Sequence, residues 1–246
     1  MDLRRGRRRT AEVRPLAAAL LAVGTVLTGT ARAAPPILGR SSEGRPIAIE
    51  KVGSGSHRLL VVGCIHGNEC AAIPIVQRLL AEPAPADAVI WAIPNLNPDG
   101  TAHGMRQNAD GVDLNRNFPV GWRPYERRGG LEYAGPRPLS EPESRLAVAF
   151  IRRIHPDVTI WFHQHQDLVR AWGPSVPTAR RFAALVGLRF RRLQWPSGSA
   201  TRWQNLTFPG TAAFVVELPA GPVTAAGVAR YVRAIRILAV EGPRGH

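Results

Sequence analysis

Two side chains that can bind a divalent metal, the imidazole of His66 and the carboxylate of Glu69, stand three residues apart in GCIHGNECA (63–71), directly after the apolar run LLVVG. At a turn or a helix start, that spacing lets both groups face one point. A neutral imidazole and a carboxylate are both zinc donors, but a stable site takes a third protein ligand from elsewhere in the chain. WFHQHQ (161–166) offers His163 and His165. Strand alternation turns both toward the same face, so spacing alone does not choose between them. Glu217 closes a third apolar run, AAFVV (212–216). A surface glutamate is the plain alternative there, but an unpaired carboxylate ending a buried strand is costly.

These groups need a scaffold, and the hydrophobic pattern supplies one. HRLLVVGCI (57–65) and DAVIWAIPN (87–95) read as buried strands, with NECAAIPIVQRLLAE (68–82) as a helix between them. Pro74 is tolerable near the first turn of that helix. Residues 95–139 are rich in Gly, Pro and Asn and read as a long loop, the kind usually kept for function. SEPESRLAVAFIRRI (140–154) predicts a helix capped by Ser140 with Glu143 completing a capping box, followed by the strand DVTIWFHQH (157–165). A helix at 177–188, a loop at 191–210, the strand TAAFVVELP (211–219) and a last helix at 223–240 complete an α/β pattern in which ligand groups collect at strand ends. The length suits one well-buried domain.

Ahead of that domain, MDLRRGRRRTAEVR, PLAAALLAVGTVLTG and TARAAPP follow the basic, apolar, small-residue order of a secretory signal peptide. Residues 1–33 are expected to be that signal and 34–246 the catalytic domain, leaving a protein outside the cytoplasm without a stable membrane anchor; the arginine-rich start suits either general or twin-arginine export. The formal charge of +14 falls to +9 without residues 1–33, whose seven arginines face only Asp2 and Glu12. A basic exterior favours anionic surroundings such as wall polymers, and no aromatic-interleaved basic stripe points to nucleic acid. Cys64 and Cys70 flank the His66/Glu69 motif; an oxidising compartment permits a disulfide, and two small buried residues are the alternative.

Taken together, HGNE, NLNPDG, MRQNADGVDLNRNFP, PLSEPES, FHQHQ and FVVELPAG, in this order, resemble the zinc metallocarboxypeptidases, specifically the short bacterial branch that includes the murein tripeptide amidases. The resemblance implies a single α/β domain with a mixed, mostly parallel sheet flanked by helices, and one zinc per chain. It implies His66, Glu69 and His163 as the zinc ligands, with Asp113 holding His66 by its other ring nitrogen and His165 lining the pocket. It further implies Glu217 as general base, Arg106 as carbonyl polariser, and Asn115 with Arg116 as the dock for a substrate carboxylate. The expected substrate is a peptide with a free carboxylate, a cell-wall stem peptide among them. Rival readings are an N-acyl amino acid deacylase of the same fold and a non-catalytic wall-binding relative. One departure stands out: the 191–210 loop lacks the tyrosine many carboxypeptidases carry there. Trp203, Asn205 or Thr207 are candidates for its space, and Arg202 for reading an acidic substrate group.

Overall fold

The computed structural model describes residues 35–243; the expected signal peptide lies outside them. Nine strands and six helices follow one another as β1 (Ile37–Arg40), β2 (Pro46–Ala48), β3 (Glu50–Gly53), β4 (His57–Val62), α1 (Ile73–Ala81), β5 (Ala88–Ile93), α2 (Pro98–His103), α3 (Pro142–Ile154), β6 (Val158–Gln164), β7 (Leu168–Ala171), α4 (Val176–Val186), β8 (Arg189–Arg192), α5 (Ala200–Thr207), β9 (Ala212–Leu218) and α6 (Ala225–Glu241). β1 and β2 form a small antiparallel ribbon, and the rest form one seven-stranded sheet in the order β3-β5-β4-β6-β9-β7-β8. Its centre, β5-β4-β6-β9, is parallel, whereas β3 and β7 run antiparallel to their central neighbours. The expected mixed, mostly parallel sheet flanked by helices is therefore present.

Strand alternation divides the core between the two faces. Leu59 and Val61 of β4, Ile160 and Phe162 of β6, and Phe214 and Val216 of β9 pack under α1, α4 and α6. Leu60, Val62, Trp161 and Val215 point the other way, into a second core beneath α3 and α5. Continuing the two-residue period from Trp161 and Val215 places His163 and Glu217 on this second face. They are also direct partners across the β6–β9 ladder. Both central strands end there, so the sheet delivers an imidazole and a carboxylate side by side at its C-terminal edge.

The structure corrects several local expectations. The helix predicted from residue 68 starts at Ile73, with Pro74 in its first turn and no side-chain cap. His66 and Glu69 therefore sit on a turn, where Glu69 N–H donates to His66 C=O at 3.1 Å. α3 starts at Pro142 with Glu141 in the cap position, and no capping box forms. Ser140 Oγ instead contacts Asn117 Nδ2 (2.8 Å) and Glu141 Oε1 (2.6 Å). The loop expected at 191–210 contains α5, capped by Ser199 Oγ, which accepts from Arg202 N. Short polar stretches with one good cap become helices once a core, here Trp203 against Phe118 and Phe208, is available to bury them. No helix among the described residues is long and apolar enough to cross a membrane.

Candidate active site

The turn carrying His66 and Glu69 is fastened on three sides. Gly67 lies so close to the backbone of Gly100 that a Cβ would meet it at 2.0 Å, so only glycine lets α2 pack there. NPDG builds α2: the Asn97 side chain caps it by accepting from Gly100 N at 2.9 Å. Asn97 Nδ2 and Gly67 N–H both donate to the carbonyl of Arg106 (3.2 Å each), tying that residue to the turn. Cys64 and Cys70 form a disulfide, Cα to Cα 4.9 Å, which closes a loop around His66 and Glu69. Finally, Gln164 donates its N–H to Glu69 Oε2 (3.1 Å), accepts from Ala71 N–H (3.1 Å), and bonds the carbonyls of Pro219 and Gly221. One glutamine therefore joins the ends of β6 and β9 to the turn.

Removing the Cys64–Cys70 crosslink by double serine substitution is expected to cost about 2 kcal/mol of stability, the loop-entropy value for so short a ring. It should also speed zinc loss during dialysis against a chelator. An unchanged Tm together with unchanged zinc retention would refute a bracing role.

His66 Nδ1, Glu69 Oε2 and His163 Nδ1 converge: the pairwise separations are 2.9 Å (His66–Glu69), 3.1 Å (His163–Glu69) and 3.1 Å (His163–His66). These three residues are a buried group able to hold a metal ion. Asp113 Oδ1 lies 3.0 Å from His66 Nε2. An anionic acceptor there assigns the ring proton to Nε2 and turns the lone pair of Nδ1 toward Glu69 and His163. Three electron-rich atoms about 3 Å apart repel one another unless a cation lies between them, and two imidazoles with a carboxylate are a zinc donor set. The residues fit the metal.

The surrounding charges follow from burial and pairing. Burial raises the Glu69 carboxyl, but contacts from His163 and His66 hold its pKa far below the ordinary value. Asp113 is likewise pushed up by burial and brought well below its usual range by His66, Arg106 and Arg116. Burial pulls His66 down, yet Asp113 and Glu69 outweigh it and leave its pKa raised. His163 has less carboxylate support, and burial takes it down to about 4, a neutral imidazole suited to ligation. Glu217 is pushed up by burial despite the opposing charge of Arg170, which makes its carboxylate a stronger base than an exposed one. Its Oε2 is buried without a hydrogen-bond partner.

A cleft opens above these groups. Its inner lobe, about 460 Å³, is lined by His66, Glu69, His163 and Glu217 together with Arg106, Arg116, Arg170, Glu126, Leu131, Glu132, Gln164 and Gln166. An outer lobe of about 800 Å³ runs past Asn68, Cys70, His165 and the 220–222 turn. Of the two strand-end histidines, His163 is buried in the donor group and His165 is exposed on the outer lobe, because β6 ends at Gln164 and the alternation stops there. Arg106 bridges Glu69 Oε1 (2.7 Å) and Asp113 Oδ2 (2.9 Å). Arg116 ends the short helix Leu114–Arg116, capped by Asp113. Its carbonyl lies against Gly198, whose φ of +65° and absent Cβ allow the approach. The Arg116 guanidinium pairs with Glu132.

Other expected site residues lie elsewhere. Asn115 is buried and does not line the inner lobe: Oδ1 accepts from Ala200 N–H at 3.0 Å, and Nδ2 sits 3.4 Å from His163 Nε2. Its Oδ1 locks the start of α5. Arg202 is on α5, packed over Gly121, and is absent from the lining of both lobes. Trp203 and Asn205 are buried; Asn205 bonds both backbone groups of Ala213 and is not free to take the place of a mobile tyrosine. Six residues of the inner lobe escaped the sequence reading: Glu126, Leu131, Glu132, Gln164, Gln166 and Arg170. Arg170 left the clearest trace, a cation inside the apolar LVRAW.

Comparisons with known proteins agree with this architecture. The family model described as zinc carboxypeptidase matches residues 32–180, more than half of the chain. Murein peptide amidase A of Escherichia coli K12 is 32% identical over 137 residues, which cover 51% of this chain and 57% of that protein. The match thus spans little more than half the length of the curated relative. The crystal structure of murein-tripeptide amidase MpaA from Escherichia coli O157 superposes with a TM-score of 0.69 at 26% identity, covering 85% of this chain and 94% of the other. Carboxypeptidase A from Helicoverpa armigera shares the fold, with a TM-score of 0.67 at 18% identity over 83% and 69% of the two chains. With a His/Glu/His donor group at the strand ends and a family model covering most of the fold's first half, the chain belongs to the zinc carboxypeptidase family of hydrolases.

Proposed function

We propose that the chain is an exported peptidase that removes the residue beyond a scissile amide bond in cell-wall stem peptides, on the C-terminal side of γ-D-glutamate. The observation that carries this reading is the sharing of one open lobe by the metal donor group, the base Glu217 and the cation Arg116. The lobe, about 460 Å³, has room for one residue and bears a guanidinium suited to a carboxylate. Support for the wall setting comes from the basic exterior, the disulfide and the murein amidases among the relatives.

Zinc held by His66, Glu69 and His163 supplies the Lewis acidity that polarises the scissile carbonyl and acidifies water. The chain's own groups do the rest. Glu217 takes a proton from the attacking water and returns it to the leaving nitrogen, a role suited to a buried carboxylate with raised pKa. Asp113 fixes the tautomer of His66. Arg106 leaves Glu69 to meet the negative charge growing on the carbonyl oxygen, since its planar fork can serve either acceptor. Arg116 binds the terminal carboxylate, which must displace Glu132 from it. The preceding part of the peptide lies along the outer lobe.

The test compares matched peptides ending in a free acid or an amide. Wild type should favour the acid by about 2–5 kcal/mol in kcat/KM, because a neutral amide lacks the charge needed to take Arg116 from Glu132, and Arg116→Ala should erase the preference. Equal cleavage of both peptides by wild type would remove the exopeptidase reading and leave a deacylase or endopeptidase.

A further inference from the structure

Arg170 has no role in the chemistry above, yet the fold aims it into the inner lobe. β7 pairs antiparallel with β9, setting Leu168 opposite Glu217 and Arg170 opposite Val215. Val169 faces the α1/α4/α6 core, so Arg170 points to the catalytic face, on the diagonal from Glu217. The side chain is only 22% exposed. Its one ionic partner among the described residues is Glu217 Oε1 at 3.2 Å, and no hydrogen bond of good geometry accompanies that contact. A guanidinium carries five donors in a fixed fork, so most of its capacity faces the lobe unused. The other two cations of the lobe differ. Arg106 is held by two carboxylates, and Arg116 by Glu132 and the carbonyl of Asn115. Arg170 also borders a recess of only about 10 Å³, shared with Asn115, Ala171, Trp195 and Thr201, so the side chain has little room to retreat.

We propose that Arg170 is a specificity-determining residue that binds a second carboxylate, one on the side chain of the residue being released. The inference rests on the exopeptidase reading above and narrows it: the preferred leaving residue is a dicarboxylic amino acid, its main-chain carboxylate on Arg116 and its side-chain carboxylate on Arg170. When that carboxylate arrives, Arg170 shifts its charge from Glu217 to the substrate, and Glu217 is left more basic at the moment it must accept a proton. Acid selectivity, expected from Arg202 on sequence grounds, is thereby placed on Arg170.

The experiment uses the zinc-loaded chain and two peptides, L-Ala-γ-D-Glu-L-Glu and L-Ala-γ-D-Glu-L-Gln, which differ only in a side-chain carboxylate against its neutral amide. Wild type should favour the glutamate peptide by about 30-fold or more in kcat/KM. Arg170→Leu should bring that ratio close to one, and Arg170→Lys should keep part of it. A role limited to positioning Glu217 lowers both substrates together and leaves the ratio untouched, so a preserved ratio in Arg170→Leu overturns the proposal, as does equal cleavage by wild type. Calorimetric binding of free L-glutamate and L-glutamine separates this inference from the reaction assignment. If wild type cleaves neither peptide but binds glutamate about 30-fold more tightly through Arg170, the reaction assignment fails and the subsite stands. Equal binding of the two amino acids sinks the subsite. Should Arg170→Leu fail to fold, the wild-type ratio and the lysine variant decide.

Discussion

Glu217→Gln is expected to lower kcat by about 10²- to 10⁴-fold while leaving the fold and the zinc content as they are in wild type. The amide keeps the volume of the carboxylate at the end of β9 and still reaches Gln166 and Arg170. It cannot accept the proton of the attacking water. Stability should change little or even improve, because Glu217 is a buried carboxylate whose raised pKa records an unfavourable desolvation. The sign is opposite to that for a carboxylate held by strong partners: folding disfavours the ionised form of Glu217, so neutralising it removes a cost. Single-turnover kinetics with metal analysis on the same sample provide the check. A zinc-loaded, folded variant with near-normal turnover would assign the base to another group.

His163→Ala should abolish stoichiometric zinc binding, whereas His165→Ala should retain it. The contrast follows from position: His163 Nδ1 lies about 3 Å from both other donor atoms, while His165 is exposed on the outer lobe. Losing one of three protein donors should weaken affinity by more than the roughly 10- to 100-fold that follows loss of a residue supporting a ligand. Asp113→Asn, which keeps an acceptor oxygen but removes the charge that enforces the His66 tautomer and adds a competing NH2 donor, should fall within that smaller range. Metal content after dialysis against graded chelator reads all three variants on one scale. Zinc retained by His163→Ala and lost by His165→Ala would reverse the assignment of the strand-end ligand.

The sequence by itself determined the parts of this protein that depend on local periodicity and donor chemistry. Apolar runs of strand length located β4, β5, β6 and β9, and the groups closing three of them, His66, His163 and Glu217, converge because parallel strands end at one edge of the sheet. The motif set named the family on the same residues. Choosing His163 over His165 needed the resemblance or the structure, since alternation treats both alike and only the end of β6 separates them. Short elements were not legible: β7, β8 and α5 carry too few residues for a pattern, and burial of Trp203 and Val169 stabilises them more than local propensity does. For Arg170 and Arg202, tertiary structure alone decided. Composition made both equally ready to be a solvated surface cation. Antiparallel pairing with β9 turns Arg170 into the cleft, and the packing of α5 over Gly121 takes Arg202 away from it. A charge's function depends on which groups share its low-dielectric surroundings, and those neighbours come from register between strands far apart in the chain.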